Sequence, residues 1–330
     1  MSKLVSILIP AYNKEQWISQ TIESALGQTW PSKEIIVLDD GSKDRTLIIA
    51  RQYERKSVKV ITQENVGACI TRNKLLEFAQ GEYIQFLDAD DLLHPQKIEH
   101  QMQRANMLQG KRLLLTCPFG RFHHKTTKAI FKPDSLWKNL SPNEWILARI
   151  RDNVWMNPTV WLVDRTLCSD AGPWDPRLAK SGDDDGEYII RVAEWADTIE
   201  FVEEAKCYYR IGNPGTLNWK MGSSESLDSL FLSIELCIGH LLRVENSERS
   251  RSACLKYLQR WYFNFYPERI QLVEKANSIA VKLGGHLIEP YLGWKYNWIR
   301  YVLGWTTAKK IQKIIRNGKT LTANYFSRRS

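Results

Sequence analysis

The sequence predicts an α/β fold, a sheet flanked by helices, with a helical extension at the C-terminus. Three observations carry this. Over the first hundred residues, short runs rich in branched apolar residues alternate with segments of helical periodicity, the pattern of a parallel sheet crossed by helices. The polar clusters of this region fall at the ends of the apolar runs, where open parallel sheets bind their ligands. From about residue 224 onward the periodicity is helical and the clusters of chemically active residues stop.

Taken in order, Leu4–Ile9 is an apolar strand and Glu15–Leu26 a helix with Ile18, Ile22, Ala25 and Leu26 on one face. Glu34–Leu38 follows as a strand, Thr46–Tyr53 as a helix, Val58–Ile61 as a strand and Val66–Ala79 as a helix. Glu82–Leu87 is a fourth strand that runs directly into Asp88-Ala89-Asp90-Asp91. A helix over Gln96–Gln109 leads to Leu113–Thr116 and short mixed strands through Phe131. Asn143–Ile150 reads as helix, Thr159–Val163 as strand, and the run Asp183-Asp184-Asp185 opens a helix through Trp195. No internal repeat is present.

At 330 residues the chain exceeds the usual single domain, so a domain over 1–220, with halves 1–110 and 111–220, and a helical, basic, aromatic region over 221–330 are expected. A hydrophobic fraction of 43% with 25% charged residues excludes a disordered chain. The six cysteines form neither a CxxC pair nor a disulfide framework, and read as reduced, buried thiols. The N-terminus lacks the long apolar stretch of a signal peptide, and no run of about 18 apolar residues occurs. A cytoplasmic protein that meets membrane only from the surface is therefore expected. The net charge of +9 lies entirely at the C-terminal end: residues 1–220 hold 29 Lys+Arg against 29 Asp+Glu, residues 221–330 hold 17 against 8.

Two common nucleotide folds are disfavoured, because the loop after the first strand, Pro10-Ala11-Tyr12-Asn13, contains no glycine and no Walker lysine loop occurs. The carboxylates of Asp88 and Asp90, one residue apart at a strand end, suit either a hard cation shared with a diphosphate or, for Asp90 and Asp91, the N-cap of a following helix. Asp39-Asp40-Gly41-Ser42 suits a binding loop or a capped turn.

Four segments in order then carry a resemblance: Ser6-Ile7-Leu8-Ile9-Pro10-Ala11-Tyr12-Asn13; Val37-Leu38-Asp39-Asp40-Gly41-Ser42-x-Asp44-x-Thr46; Asn65-x-Gly67 with Arg72-Asn73; and Gly81-Glu82-Tyr83-Ile84-x-Phe86-Leu87-Asp88-Ala89-Asp90-Asp91. Together they resemble family-2 inverting glycosyltransferases of the GT-A fold, closely over the first 100 residues and more loosely over 101–220. The resemblance implies a Rossmann-like mixed sheet and transfer of a sugar from a nucleotide-diphosphate donor, UDP by family habit, to an acceptor hydroxyl. It implies that Pro10, Ala11 and Tyr12 hold the base, with Tyr12 as a stacking face, and that Asp40 accepts a base N–H. Arg72 would reach a phosphate, the base or the sugar, its alternative being a solvated helix face. Within Asp88-Ala89-Asp90, Asp90 would be the main ligand of Mn²⁺ or Mg²⁺, and Asp88 would bind the ribose or share the metal.

Asp183-Asp184-Asp185-Gly186-Glu187 with Arg191 is similar to the family's acidic motif. Counting back from Arg191 places Asp185 on the general base, with Asp184 in reserve because three adjacent aspartates blur the register. The alternative is an acidic helix start favoured by the helix dipole. Tyr208–Leu217 resembles the family's tyrosine-arginine segment but carries Gly212-Asn213 where a histidine is usual. The implied partners are the nucleotide-sugar donor and a saccharide or lipid-linked saccharide acceptor, in polysaccharide or lipopolysaccharide synthesis at the inner membrane face. The rival is a sugar-nucleotide-binding scaffold that has lost catalysis.

The tail after Trp294 sets Trp298, Ile299, Val302, Leu303, Ile311, Ile314 and Ile315 at helical spacing, with Lys295, Arg300, Lys309, Lys310, Lys313 and Arg316 between. Such a helix either lies on an anionic bilayer or packs its apolar face on the catalytic domain. No nucleic-acid motif accompanies the basic charge.

Overall fold

The structure, a computed structural model, describes residues 2–212 and 223–327, and within these not the side chains at 295, 297, 313 and 316–327. The chain divides into two compact units, 1–253 and 254–330. In the first unit the order is β1 (Val5–Ala11), α1 (Ile18–Leu26), β2 (Lys33–Asp39), α2 (Thr46–Arg51), β3 (Val58–Thr62), α3 (Ala68–Phe78), β4 (Tyr83–Phe86), β5 (Leu92–Leu93), α4 (Lys97–Met107), β6 (Leu113–Thr116), β7 (Phe119–Phe122) and β8 (Ile130–Phe131). Then follow α5 (Pro142–Asp152), β9 (Leu162–Asp164), α6 (Arg165–Ala171), α7 (Asp184–Trp195), β10 (Thr198–Phe201), β11 (Cys207–Arg210) and α8 (Ser224–Val244). Helix α9 (Glu248–Phe265) contains the boundary, and the second unit continues with α10 (Ile270–Lys282) and α11 (Trp294–Ser327). Helix α8 packs on α5 and α7 and so belongs to the first unit, although it lies beyond residue 220.

The main sheet has seven strands in the order β10-β6-β9-β4-β1-β2-β3. Strands β3, β2, β1 and β4 are parallel, as the alternating sequence pattern requires. Strand β9 runs antiparallel to both β4 and β6, which makes the sheet mixed. The middle strand β1 is covered on both faces: Val5, Ile7, Leu8 and Ile9 are all fully buried, which explains why it reads as an unbroken apolar run. A second sheet, β5-β11-β7-β8, starts directly after the acidic turn that ends β4.

Element starts differ from the sequence reading in an instructive way. Helix α1 begins at Ile18, because Lys14 through Trp17 form a turn in which Trp17 N–H and Ile18 N–H both donate to the Lys14 carbonyl. Helix α3 begins at Ala68, after Gly67 adopts φ 92°. Pro158–Val160 is a 3₁₀ turn, and only Leu162–Asp164 pairs as strand. The tail helix is not continuous: α11 breaks at Gly304 (φ 79°, ψ 164°). Ile299, before the break, and Trp305 and Ala308, after it, join Leu292 in a buried cluster, whereas Trp294, Trp298, Val302, Leu303 and Ile314 are exposed. All six cysteines are buried free thiols.

Because Leu8 is fully buried between Ile36 of β2 and Phe86 of β4 in register, Leu8→Ala should lower unfolding stability by about 2–5 kcal/mol in a denaturant titration.

Candidate functional site

The parallel register brings the carboxyl ends of three neighbouring strands together, since Ala11 pairs with Asp39 and Leu8 with Phe86. A cleft of about 370 Å³ opens there. Its lining includes all nine residues singled out from the sequence: Pro10, Ala11, Tyr12, Asp40, Arg72, Asp88, Ala89, Asp90 and Asp185. Segments up to 175 positions apart in sequence, from Pro10 to Asp185, thus meet on one surface.

At the β2 end, Asp40 is buried and both of its oxygens are engaged. Oδ1 accepts from Gln63 Nε2 (2.7 Å) and Val66 N–H (3.0 Å), and Oδ2 from Asn65 Nδ2 (3.1 Å) and Gly67 N–H (2.9 Å). Asp40 therefore fastens the loop that starts α3, a role beyond the single base N–H expected of it. Gly41 has φ 70°, and a Cβ there would lie 2.8 Å from Asn65 N, so only glycine lets the two loops approach so closely. Tyr12, half exposed, presents its ring at the cleft.

At the β4 end the aspartates have separate environments. Asp91 is fully buried, its Oδ1 accepting from Arg210 N–H (2.9 Å) and its Oδ2 from Thr159 Oγ1 (3.1 Å). Burial, with Asp90 and Asp88 close by, holds its carboxyl well above the usual carboxylate range. Asp91 caps no helix; it ties the second sheet to the first. Asp90 faces the cleft with Lys14 Nζ at 2.5 Å, and its backbone carbonyl accepts from Arg210 Nε (2.8 Å). Asp88 accepts from Arg72 Nη2 at 3.1 Å. Among the described residues no group of three or more His, Cys, Asp or Glu side chains is gathered as for a metal ion. Asp88 and Asp90 alone supply two hard oxygen donors at the cleft, a set that fits Mg²⁺ or Mn²⁺ only when phosphate and water complete the coordination.

Arg72 is buried, not solvated. Its Nη1 donates to Asp184 Oδ2 at 2.8 Å while Nη2 holds Asp88, and its guanidinium lies over the Trp174 ring at 4.5 Å from the centroid. Trp174 stacks in turn on Tyr188 at 4.0 Å and 12°. Burial works against the charge on Arg72, but Asp88 and Asp184 more than offset it and raise its pKa.

The acidic run at the start of α7 is likewise divided by its surroundings. Asp183 faces Arg149 Nη2 (3.4 Å) and accepts from Ser233 Oγ (3.2 Å). Asp184 is held by Arg72. Asp185 has no ion pair among the described residues and accepts only from Gly186 N–H, through Oδ1 (2.8 Å). Burial, reinforced by Asp184 and Asp183, raises its pKa well above the ordinary range. Gly186 is needed for contact, since a Cβ would collide with Arg149 and Asp183. Behind α7, His240 sits between Glu187 (3.1 Å) and Glu194 (2.9 Å), and Glu187 also pairs with Arg191 (2.6 Å).

The sequence reading missed Lys14, Trp155, Tyr209 and Arg210 as cleft residues. Lys14 follows Asn13 directly after a recognised segment, a signal that was available. Arg210 was seen within Tyr208-Tyr209-Arg210, but its contacts depend on sheet pairing. Asn213–Leu217 lie outside the described residues.

The profile of glycosyl transferase family 2 matches residues 6–113. An uncharacterized glycosyltransferase of Rickettsia typhi is 31% identical over 232 residues, covering 70% of this chain and 71% of that protein. The chain belongs to glycosyl transferase family 2. The putative teichuronic acid biosynthesis glycosyltransferase TuaG of Bacillus subtilis is 44% identical over 103 residues, 30% of this chain and 41% of TuaG. The Escherichia coli UDP-Glc:alpha-D-GlcNAc-diphosphoundecaprenol beta-1,3-glucosyltransferase WfgD is 32% identical over 165 residues, 50% of this chain and 61% of WfgD. The chain thus spans less than two thirds of these last two relatives. The crystal structure of S. aureus TarS 1–349 with UDP-GlcNAc superposes with a TM-score of 0.64 at 20% identity, covering 84% of this chain and 81% of that one. At that identity the likeness concerns the fold, which is of the GT-A type.

In this glycosyltransferase the Arg72 bridge holds two carboxylates with one guanidinium. Arg72→Leu leaves Asp88 and Asp184 without their cation, and should destabilise the first unit by about 3–5 kcal/mol in chemical denaturation.

Proposed function

We propose that this glycosyltransferase moves a sugar from a UDP-sugar to a hydroxyl of a saccharide carried on a lipid diphosphate, with inversion at the anomeric carbon. The observation that carries the reading is the position of Asp185: alone of the three adjacent aspartates it lacks an ion pair among the described residues, and it faces the cleft that Asp88 and Asp90 line. The relatives support the substrates. WfgD is named for UDP-Glc and a diphosphoundecaprenol-linked acceptor, and TarS is seen with UDP and UDP-GlcNAc.

In the proposed reaction the base lies against Tyr12 beside Pro10 and Ala11, while Asp40 keeps the Asn65–Gly67 loop in place beside it. Ala89, between the two carboxylates, leaves room for the donor. Asp90 and Asp88 would hold Mn²⁺ or Mg²⁺, whose charge, when bound, favours departure of the nucleoside diphosphate. Lys14 yields Asp90 as the diphosphate arrives. The acceptor hydroxyl gives its proton to an oxygen of Asp185 and attacks the anomeric carbon. The bond from that carbon to the diphosphate oxygen breaks, and the electron pair leaves with UDP. A carboxyl held above its ordinary pKa is a better proton acceptor at neutral pH than an ordinary one. The work of the chain is positioning and electrostatics. A lipid-linked acceptor places the enzyme at the inner membrane face, in polysaccharide or lipopolysaccharide synthesis.

The base is useful only when deprotonated, so transfer should be flat at high pH and fall about tenfold per pH unit below the raised Asp185 pKa, an acid limb above the ordinary carboxylate range. Asp185→Asn should remove that limb together with at least about a thousandfold of transfer, while UDP affinity by calorimetry stays at the wild-type value. Transfer at the original rate would refute the assignment. Intact UDP binding with no turnover of any donor in the wild type would instead favour the non-catalytic scaffold.

A second titration tests the cation site. Lys14→Met removes the ammonium that occupies Asp90, and should tighten Mn²⁺ binding to the nucleotide-free protein by about tenfold, roughly 1.4 kcal/mol. Asp90→Asn should abolish metal-dependent UDP binding. Unchanged Mn²⁺ and UDP binding in both variants would remove the metal assignment.

A further inference from the structure

We infer that the second unit carries a docking surface for an anionic lipid bilayer, formed by the outer face of the first segment of α11. This extends the proposed lipid-linked acceptor by naming the surface that would bring the enzyme to it, and its test does not depend on the donor or on catalysis.

The segment before Gly304 has two faces of opposite character. At 100° per residue, Trp294, Trp298, Tyr301 and Val302 fall within about 100° of arc. These four are 75%, 63%, 79% and 72% exposed. The other side of the same segment carries Ile299, which is buried with Leu292, Trp305 and Ala308, and Tyr296, which packs against that cluster. The inner face thus satisfies what the second unit needs for a core, and three aromatic side chains with a valine remain outside it. A water-facing helix surface normally carries charged side chains at these positions. Past the break, Lys310 and Ile314 are also exposed, one turn apart.

Charge selects the occupant. From residue 290 to the end the sequence carries nine Lys and Arg and no Asp or Glu. Arg300 is paired with Glu289 and Lys309 with Glu268, so the acidic residues that do face this segment are already matched. Aromatic side chains with cations along an otherwise acid-free segment match the interfacial region of a bilayer, where rings sit at the headgroup level and nearby cations are attracted to anionic lipid. No described helix is long and apolar enough to cross a membrane, so the segment would lie on the surface. A second copy of the chain would bring the same excess of Lys and Arg, which disfavours self-association.

The test uses the full chain with vesicles of phosphatidylcholine alone or mixed equally with phosphatidylglycerol. The wild type should sediment with the mixed vesicles at low salt, bind pure phosphatidylcholine at least about tenfold more weakly, and release as salt is raised. Trp294→Ser with Trp298→Ser should weaken binding to mixed vesicles by about tenfold, with an unchanged circular dichroism spectrum and denaturation midpoint as the check that the chain remains folded. Trp294→Phe with Trp298→Phe, which keeps the aromatic face, should restore it. No binding to mixed vesicles at low salt, equal binding to both vesicles, or full binding by the serine variant would overturn the inference. So would a wild-type dimer in sedimentation velocity that the serine substitutions convert to monomer.

Discussion

Arg72 places one buried positive charge between Asp88, at the end of β4, and Asp184, at the start of α7. These carboxylates lie nearly a hundred residues apart in the chain, and the one guanidinium joins them across the cleft. The guanidinium is itself supported from below by Trp174, stacked on Tyr188. Because Arg72 takes up Asp184, and Arg149 takes up Asp183, the third aspartate of the run is left to the cleft. The chemistry assigned to Asp185 therefore depends on cations that never touch it.

The same economy governs the other acidic groups. Of the aspartates at the strand ends, Asp40 and Asp91 spend their oxygens on backbone and side-chain donors, closing one loop and joining two sheets. Asp88 and Asp90 keep cationic partners, Arg72 and Lys14, at the cleft.

The second unit obeys a different constraint. A helical segment with apolar residues on more than one side can bury only one of them in a small core. Gly304 adds a break that re-aims the chain, so that Trp305 and Ala308 reach the cluster already containing Ile299. The aromatic face left outside is a consequence of that choice.

The parallel half of the sheet, the helices between its strands and nine of the residues that line the cleft were legible in the sequence, because a strand buried on both faces must be an apolar run and because polar clusters at strand ends must converge. The strand at β9 was read and the resemblance implied a mixed sheet, but which strand reverses, and the second sheet, were not legible, since pairing direction depends on partners distant in the chain. The sequence placed Asp183, Asp184 and Asp185 together but could not rank them: three identical side chains differ only in what packs beside them, and Arg149 and Arg72 arrive from α5 and α3. Lys14, although it directly follows a recognised segment, and Arg210, read within Tyr208-Tyr209-Arg210, gain their contacts with Asp90 only through the fold. In the tail, periodicity marked the apolar residues, but only the folded chain decided which of them are covered, because that depends on which side of each segment meets the cluster around Leu292, and a positive φ at Gly304 re-aims the second segment.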